Sequence, residues 1–552
     1  MERNIEALKN NEFDLLVIGG GITGAAVAHD ASLRGLKVAL VEMKDFGWAT
    51  SSATSKLIHG GLRYLKNMEF GLVRESLRER RIYEMIAPHL VYPVPFLVPT
   101  YKYSMNSRIM IYPGMVLYDV LSYDKGHLDD PDRRIPSYQI LSKQRVTALE
   151  PNVNSYELTG GAIYWDCQMY NSERLTLSFV LTAAENGAEV ANYIKVQDLI
   201  NEHGKITGAK VKDILTGEEF DIRAKVTANV SGPWADFISG LGIENNNRKV
   251  LRSEGIHIIT RPIVKEHAIV YRTKSGRHFF IIPWRNKSLI GTTDTEYQGS
   301  PDDYCVTEEK VLDFIDEIND SHPAGNLRIE DVEFAYGGLR PIVEDETDVD
   351  VSSYDASRKY EIFDHFDSDN LQNFFTVIGG KYTTSRAVAE QLVDKVYAKL
   401  SMAPPKCVTE FTPLVGGNFK HWKEFQQRGL RKRHDVPQDA LNTLMHLYGL
   451  DYNRVVDLCA AKPQLADPIG EGQKILACQV EYAVKNEMAM RLEDVVYRRT
   501  DLATIGKPHK KDLEATAEIM AEHLGWDKAK QDEEVELIWA AILTKGIRCR
   551  IQ

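Results

Sequence analysis

The sequence has little of what would mark a membrane span, a metal site or a disulfide framework. Its six cysteines are scattered, and no two stand at the C-x-x-C spacing of zinc sites and dithiol redox motifs. No uninterrupted run of about 18 apolar residues occurs, and the N-terminus has no apolar signal core. We therefore expect reduced thiols in an intracellular protein, with no metal, no secretory signal and no transmembrane helix.

Positive charge is also in deficit, with 67 Lys and Arg residues against 79 Asp and Glu residues and a net charge of −12. Duplex binding requires a positive field, so we expect no nucleic-acid partner. The 552 residues are 43% hydrophobic and 26% charged, as in ordinary globular proteins. At about 150 residues per domain, the chain is long enough for three or four structural units. An acidic balance does not exclude a local basic pocket for a small anion.

A dinucleotide-binding motif stands near the N-terminus. An apolar run over residues 13–18 leads into Gly19, Gly21 and Gly24 in G-x-G-x-x-G register, followed by a small-residue helix, a second apolar strand and Glu42. Gly19 allows a tight turn, Gly21 lets a pyrophosphate approach the backbone, and Gly24 lets the helix pack closely on the strand. Glu42 can accept hydrogen bonds from a ribose and would repel a 2′-phosphate, which disfavours NADP. A purely structural glycine turn is the alternative.

The segment after this motif favours FAD over NAD. Residues 46–65 form a polar loop rich in Ser and Thr that ends in His59-Gly60-Gly61, instead of continuing into another β–α unit. Such a loop can follow an extended cofactor toward a bulky ring. The alternative is a surface loop that caps the next helix.

The rest of the chain predicts an interleaved α/β layout followed by helices. Strands are predicted at 225–230, 256–260 and 374–378, the last ending in Gly379-Gly380-Lys381 before a helix over 384–399. A strand that ends in Gly-Gly and opens into a helix can hold an anionic or electron-rich group. Beyond about residue 401 the periodicity is helical, most clearly over 477–492.

Six motifs together resemble the FAD-dependent glycerol-3-phosphate dehydrogenases of the membrane-associated bacterial type. They are WATSSATSKLIHGGLRYL, SGPWAD, GTTDTEY, GGLRPI, GGKYTTSR and EYAVKNEMAMRLEDVVYRRTDL, in order and at compatible spacing. The resemblance implies an α/β fold in which a Rossmann-like FAD-binding domain is interleaved with a mixed-sheet substrate-binding domain, plus a C-terminal all-helical domain. The expected FAD-binding domain comprises residues 1–90, 155–235 and 360–400, the substrate-binding domain 91–154 and 236–359, and the helical domain 401–552.

The resemblance also implies which residues form the site. Substrate binding is expected of Arg63, His257, Arg340 and Lys381. Cofactor binding is expected of Gly19, Gly21, Gly24, Glu42, Ser51, Ser52, Ser55, Lys56, Gly60, Gly61, Val196, Gly232, Gly380, Lys381 and Thr383. His59 is a further neighbour of the flavin in this reading.

The expected reaction oxidises sn-glycerol 3-phosphate to dihydroxyacetone phosphate by hydride transfer to flavin N5. Arg63, Arg340 and Lys381 would bind the phosphate. His257 would be the base and Arg340 would orient the hydroxyl. Singly, each cation could equally be a surface ion pair, and His257 a buried strand histidine. One residue departs from the family, because Glu254 stands where lysine is common.

The same resemblance implies a membrane quinone as electron acceptor. We therefore expect a cytoplasmic protein held peripherally on the inner face of the cell membrane, and the resemblance also suggests a homodimer. Residues 420–434, which are basic and contain Trp422 and Phe425, and the apolar stretch 109–121 could supply the contact. An ordinary charged helix and an ordinary core segment are the alternatives.

Other functions are compatible with this sequence. Related glycerol-3-phosphate oxidases carry a long insertion between the GGLRP and GGK motifs, whereas Arg340 and Lys381 are 381 − 340 = 41 positions apart here. The spacing favours a dehydrogenase. An oxygen-using oxidase of glycerol 3-phosphate or of an amine, and a non-catalytic flavin-binding regulator, remain as alternatives.

Overall fold

The protein is described by a computed structural model over residues 1–102, 107–242, 250–274, 276–343, 359–433, 436–470 and 474–543. In chain order, strands β1 to β18 are Glu12–Ile18, Val38–Val41, Leu57–Ile58, Val91–Tyr101, Gln139–Ser142, Leu158–Met169, Glu189–Ala191, Ile194–Glu202, Lys205–Asp213, Glu219–Asn229, Leu251–Thr260, Ala268–Arg272, His278–Trp284, Lys287–Gly291, Thr295–Tyr297, Val332–Ile342, Tyr360–Asp364 and Phe374–Gly379. Helices α1 to α17 are Ile5–Asn10, Ile22–Leu33, Phe70–Ile86, Arg108–Leu121, Lys143–Leu149, Ser172–Glu185, Ala235–Gly240, Glu308–Ser321, His365–Asp369, Ser385–Lys399, Trp422–Lys432, Gln438–Tyr448, Tyr452–Ala461, Ala477–Glu487, Leu492–Asp494, Lys510–Leu524 and Lys528–Leu543.

The first sheet carries the glycine motif. Its order is β17-β18-β10-β1-β2-β7. β9 also pairs with β10 in antiparallel orientation, and β8 pairs with β9. β1 pairs in parallel with β2 and β10, so three carboxyl ends lie at one edge. β2 is entirely buried, as a strand covered on both faces must be. The predicted Rossmann-like α/β unit is confirmed.

The second sheet is mixed. Its order is β15-β11-β14-β13-β12-β4-β6-β3, with β16 also paired to β11 and β5 to β6. β6 pairs along its length with β4, although it falls in the segment 155–235 that we assigned to the FAD-binding domain. Local periodicity shows that a strand exists but not which sheet it joins. β6 is a strand of the second sheet. The division of the chain into domains remains a prediction.

The C-terminal region is helical, as expected, and contains α11 to α17. The helix predicted over 477–492 is shorter than its periodicity indicates, because α14 ends at Glu487. Met488 adopts the left-handed conformation with φ 56°, and the Ala489 N–H donates to the carbonyl of Ala483. The chain then restarts as the short helix α15.

The basic helix α11 turns its aromatic side chains largely toward the protein. Phe425 stacks on Phe419 with ring centroids 4.3 Å apart, and Trp422 lies 4.3 Å from the ring of His446. Phe425 is thus buried and Trp422 is only partly exposed, so these rings offer a membrane little surface, and the expected contact of this segment remains a prediction. Within the described ranges, no helix combines the length and apolar character needed to cross a bilayer.

Candidate active site

A cavity of about 1540 Å³ lies between the two sheets. One end is formed by the carboxyl end of β1 and the turn into α2, and the other by residues of β11, β13 and β16. Sites for ordinary small ligands occupy about 300–1,000 Å³, so the volume suits an extended cofactor together with a substrate.

The glycine turn provides the cofactor end with a close backbone approach. A Cβ on Gly24 would lie 1.9 Å from the carbonyl oxygen of Gly19, and a Cβ on Gly21 would lie 3.2 Å from Ser51 Oγ. Ser51 Oγ accepts from the N–H of Ile22 at 2.9 Å, at the first turn of α2. The turn and helix N-terminus thus fit a pyrophosphate, whose charge the helix dipole favours.

Glu42 is held at the end of β2 by three donors. Its carboxylate accepts from the N–H groups of Gly20 at 2.7 Å and Lys44 at 2.9 Å, and from Trp48 Nε1 at 2.9 Å. Burial raises the pKa of this carboxyl group. The Trp48 ring lies 5.5 Å from that of Trp234. Glu42 is therefore fixed at the place where an adenosine ribose would lie in a dinucleotide site.

Most of the residues predicted for the site line this one cavity. They are Gly19, Gly21, Glu42, Ser51, Ser55, His59, Gly61, Arg63, Val196, Gly232, His257, Arg340, Gly380, Lys381 and Thr383. These residues come from both sheets and from segments more than 300 positions apart, and the fold brings them together.

Four predicted residues do not line the cavity. Gly24 provides the close packing of α2 on β1. Ser52 Oγ donates to main-chain carbonyls of its own loop, and Lys56 Nζ bonds the Glu173 carboxylate at 2.5 Å in a buried pair. A Cβ on Gly60 would meet Leu77 and Tyr118 at 2.4 Å, so the loop packs tightly behind the cavity wall there.

Two of the predicted cations meet on one aromatic ring. Lys381 Nζ lies 3.9 Å from the centroid of Tyr64, and the Arg63 guanidinium lies 4.9 Å from the same centroid. Lys381 Nζ also donates to Ser76 Oγ at 3.2 Å. Burial and the nearby charge of Arg63 lower the pKa of Lys381 to about 8. Two cations held this close create an anion-binding position.

The pKa of Lys381 leads to a pH prediction. Because its ammonium loses charge as pH rises through about 8, kcat/KM for an anionic substrate should fall above that pH. Lys381→Arg should remove this alkaline limb, since a guanidinium stays charged. Initial rates between pH 6 and about 10 test this. Lys66→Arg, another lysine of the cavity wall, is the matched control that should keep the limb, and an unchanged limb in Lys381→Arg would contradict the assignment.

Arg340 is fixed from β16 by groups of the neighbouring strand region. Its Nη2 donates to the carbonyls of Thr293 at 2.7 Å and Glu254 at 3.0 Å, and its Nη1 lies 3.4 Å from the Asp294 carboxylate. A Cβ on Gly255 would lie 2.5 Å from Nη2, so the glycine makes room for the guanidinium. The group is thus oriented before a substrate arrives.

His257 lies on β11, two residues after the glycine that makes room for the Arg340 guanidinium. Its Nε2 is 2.9 Å from Ser55 Oγ, and its ring stacks on Tyr336 at 5.1 Å between centroids. Burial, with Arg340 and Lys56, lowers the pKa of His257 to about 3. The ring is therefore neutral near pH 7 and able to accept a proton.

The unusual Glu254 does not face the cavity. Side chains alternate along a strand, and Gly255 and His257 are the residues of this stretch of β11 that line the cavity. The Glu254 carboxylate instead contacts Lys310 Nζ, with both oxygens at 2.9 Å. Glu254, in place of the lysine common in the family, thus forms an ion pair with Lys310 on the face of the strand away from the cavity. The face of the strand that lines the cavity is unchanged.

Among the cavity-wall residues that sequence reasoning missed are Trp48, Tyr64, Trp234 and His278. Trp48 and Tyr64 stand inside the loop motif and Trp234 inside SGPWAD, so the motifs contained the signal for three of them. His278 is in no motif. Burial and the charges of Arg272, Lys66 and Arg63 lower its pKa to about 4, which places it near the cation cluster.

Comparison with known families agrees with this geometry. The family described as FAD dependent oxidoreductase matches residues 14–395, and the C-terminal domain of alpha-glycerophosphate oxidase matches residues 407–531.

Individual proteins are similar over nearly the whole chain. A glycerol-3-phosphate dehydrogenase of Synechocystis sp. is 36% identical and covers 97% of each chain. An aerobic glycerol-3-phosphate dehydrogenase of Staphylococcus haemolyticus is 33% identical, over 97% of this chain and 95% of the relative. The solved glycerol-3-phosphate dehydrogenase from Bacillus halodurans, complexed with FAD, has a TM-score of 0.78 at 28% identity and covers 98% of this chain and 96% of that one.

Proposed function

The chain belongs to the family of FAD-dependent glycerol-3-phosphate dehydrogenases, with FAD as its cofactor, and from that premise we propose that it oxidises sn-glycerol 3-phosphate to dihydroxyacetone phosphate and delivers the electrons to a membrane quinone. The observation that carries the substrate is the position of Arg63, Lys381, Arg340 and His257 in the wall of the cofactor cavity. An amine substrate would give no reason for three cations there.

Three groups would bind the phosphate and orient the carbinol. Arg63 and Lys381, which both lie against the ring of Tyr64, would supply a charged fork and an ammonium. Arg340, held by main-chain carbonyls, would stabilise negative charge as it develops on the C2 oxygen. Burial is the main cause of the low pKa of His257, and binding of the dianion would offset the smaller part that comes from the charges of Arg340 and Lys56.

His257 would take the proton of the C2 hydroxyl at Nε2, the ring atom that contacts Ser55 in the cavity wall. FAD, when bound, supplies the hydride acceptor at N5. The two transfers balance: the C2–H bond gives up a hydride and the O–H bond a proton, and the carbinol becomes a ketone. The cavity walls would exclude bulk water from both.

Anaerobic reduction tests the substrate. We expect the flavin absorbance of the purified protein to bleach on addition of sn-glycerol 3-phosphate and to remain unchanged with glycerol or sarcosine. Glycerol tests the need for the phosphate, and sarcosine tests the amine-oxidase alternative. Bleaching by sarcosine, or none by the phosphate ester in FAD-loaded protein, would reject the proposal.

Helix α4 supports a membrane source for the acceptor. Its outer face is apolar and exposed, with Ile109 85% and Val120 62% accessible. Its inner side contributes Ile111, Met115 and Leu117 to the wall of the cavity. A lipid surface covering this helix would place a dissolved quinone beside the chamber that holds the flavin.

Charge on the outer face of α4 should therefore uncouple the enzyme from its acceptor. In the double variant Ile109→Glu and Val120→Glu, we expect quinone reduction in phosphatidylglycerol vesicles to fall about tenfold, because carboxylates resist burial in lipid. Activity with a soluble dye should remain unchanged. Phe411→Glu, at an apolar residue 64% exposed in the C-terminal region, is the control. Equal vesicle binding by the unmodified protein, the double variant and Phe411→Glu would exclude α4 as the membrane contact.

A further inference from the structure

The C-terminal helical domain contacts the loop that follows the second strand of the dinucleotide motif through a buried cluster of charges. The FAD dependent oxidoreductase family matches residues 14–395, and none of the described residues beyond Thr383 lines the cavity. The C-terminal domain therefore touches neither cofactor nor substrate through the cavity wall. It is nevertheless joined by buried charges to the loop that forms much of that wall, residues 42–55.

The junction is the carboxylate of Asp45. Arg499 binds it with two parallel hydrogen bonds, both 2.8 Å, and Arg498 Nε donates to the same carboxylate at 2.6 Å. All three side chains are buried to within 1% of complete. Burial alone would raise the pKa of Asp45, but the charges of Arg499 and Arg498 lower it to about 2. The two arginines of the C-terminal domain are the main groups that keep this buried carboxylate ionised.

The arginines are themselves held within the C-terminal domain. Arg499 Nη2 donates to the carbonyl of Glu487 at 3.0 Å, where α14 ends, and Arg498 Nη2 bonds Asp494 at 2.5 Å. Tyr193, at the start of β8, donates its hydroxyl to the same Asp494 at 2.7 Å. The guanidinium groups therefore cannot follow Asp45 if its loop moves.

A path of hydrogen bonds leads from Asp45 to the glycine turn. The carbonyl of Asp45 accepts from the N–H of Trp48 at 3.2 Å, and Trp48 Nε1 donates to Glu42 at 2.9 Å. Glu42 in turn accepts from the N–H of Gly20 at 2.7 Å. The position of Asp45 is thus coupled to the residues that would hold the adenosine and the pyrophosphate.

We propose that the C-terminal helical domain is a positioning element of the cofactor site, which sets the affinity for FAD by fixing the loop 42–55 through Asp45. If the contact of Arg499 with Asp45 is lost, the buried Asp45 carboxylate lacks its main partner. The loop must then open so that water can reach the carboxylate. FAD then has to order the loop when it binds. Coupling is reciprocal, so FAD should also tighten the docking of the C-terminal domain.

Titration of apoprotein with FAD tests the coupling. We expect Arg499→Lys to raise the Kd for FAD at least about tenfold, because the two-bond contact to Asp45 is lost. Arg285→Lys is the matched control, since Arg285 pairs with Asp501 and joins the same domain to the second sheet instead. It should change the Kd less than about threefold. Equal effects of both variants, at equal thermal stability, would overturn the proposal.

Hydrogen exchange in the unmodified protein gives an answer even if the variants do not fold. Adding FAD to apoprotein should slow amide exchange in residues 487–502, which do not line the cavity. If amide exchange in residues 487–502 is the same with and without FAD, the coupling is refuted. Both measurements concern FAD alone, so their outcome is independent of the substrate proposal, which anaerobic bleaching tests.

Discussion

Arg340→Ala should lower kcat/KM for sn-glycerol 3-phosphate about a thousandfold while FAD stays bound, in line with the loss of a single preorganised donor to developing negative charge. The guanidinium is positioned by the carbonyls of Glu254 and Thr293, and its charge contributes to the low pKa of His257. Its removal takes away both a substrate ligand and the charge that stabilises the C2 oxygen. A water molecule in its place would be neutral and mobile.

Stopped-flow measurement of flavin reduction isolates this effect from electron transfer to the acceptor. Arg261→Ala is the control, because Arg261 pairs with Asp331 on the surface at the far end of the same strand pair, and it should reduce flavin at the wild-type rate. Arg340→Lys should recover part of the rate through its charge alone. Normal reduction by Arg340→Ala would remove this residue from the site, and loss of FAD from it would show a role in the fold instead.

Gly24→Ala should yield a protein that is purified largely without FAD. The new Cβ would lie 1.9 Å from the carbonyl oxygen of Gly19 and 2.9 Å from a Val230 methyl group. Both neighbours are buried, and a backbone atom cannot rotate away, so α2 must move off β1. The N–H groups at the start of α2 would move with the helix and would no longer point toward the pyrophosphate. We expect the Kd for FAD to rise at least about a hundredfold, which corresponds to about 2.7 kcal/mol.

The ratio of flavin absorbance to protein absorbance reports this loss directly. Gly71→Ala is the matched control, because Gly71 is also near the start of a helix, α3, and a Cβ there meets nothing within 4 Å. That variant should retain a full complement of FAD. A fully loaded Gly24→Ala protein would mean that the close packing of α2 on β1 is not needed for the cofactor.

The cofactor end of the site was predictable because its parts are neighbours in the chain. Gly19, Gly21 and Gly24 act through one turn and one helix, and Glu42 follows on the adjacent strand. The consequence of Glu254 was also open to prediction, since the alternation of β11 places it on the face opposite His257. Its partner Lys310 was not, because that contact spans 56 positions.

The aromatic residues of α11 show a limit of composition. A basic segment with Trp422 and Phe425 is typical of a membrane surface, and the same pattern is typical of a helix whose aromatic face packs inward. The contacts of these rings with Phe419 and His446 favour the second arrangement, and composition could not have indicated them. The exposed face of α4 is the converse case, where an apolar segment lacks cover on its outer side.

The sequence by itself determined the family, the dinucleotide motif and the identity of the four polar side chains expected at the substrate, since these depend on residue type and local spacing. The tertiary structure decided where α14 ends and what the C-terminal domain contacts. Periodicity continues to residue 492 with no glycine or proline to interrupt it, yet the helix ends at Glu487. There the carbonyl of Glu487 accepts from Arg499, which binds Asp45 454 positions away. Contacts between residues so far apart depend on how the whole chain packs, and local sequence does not encode them.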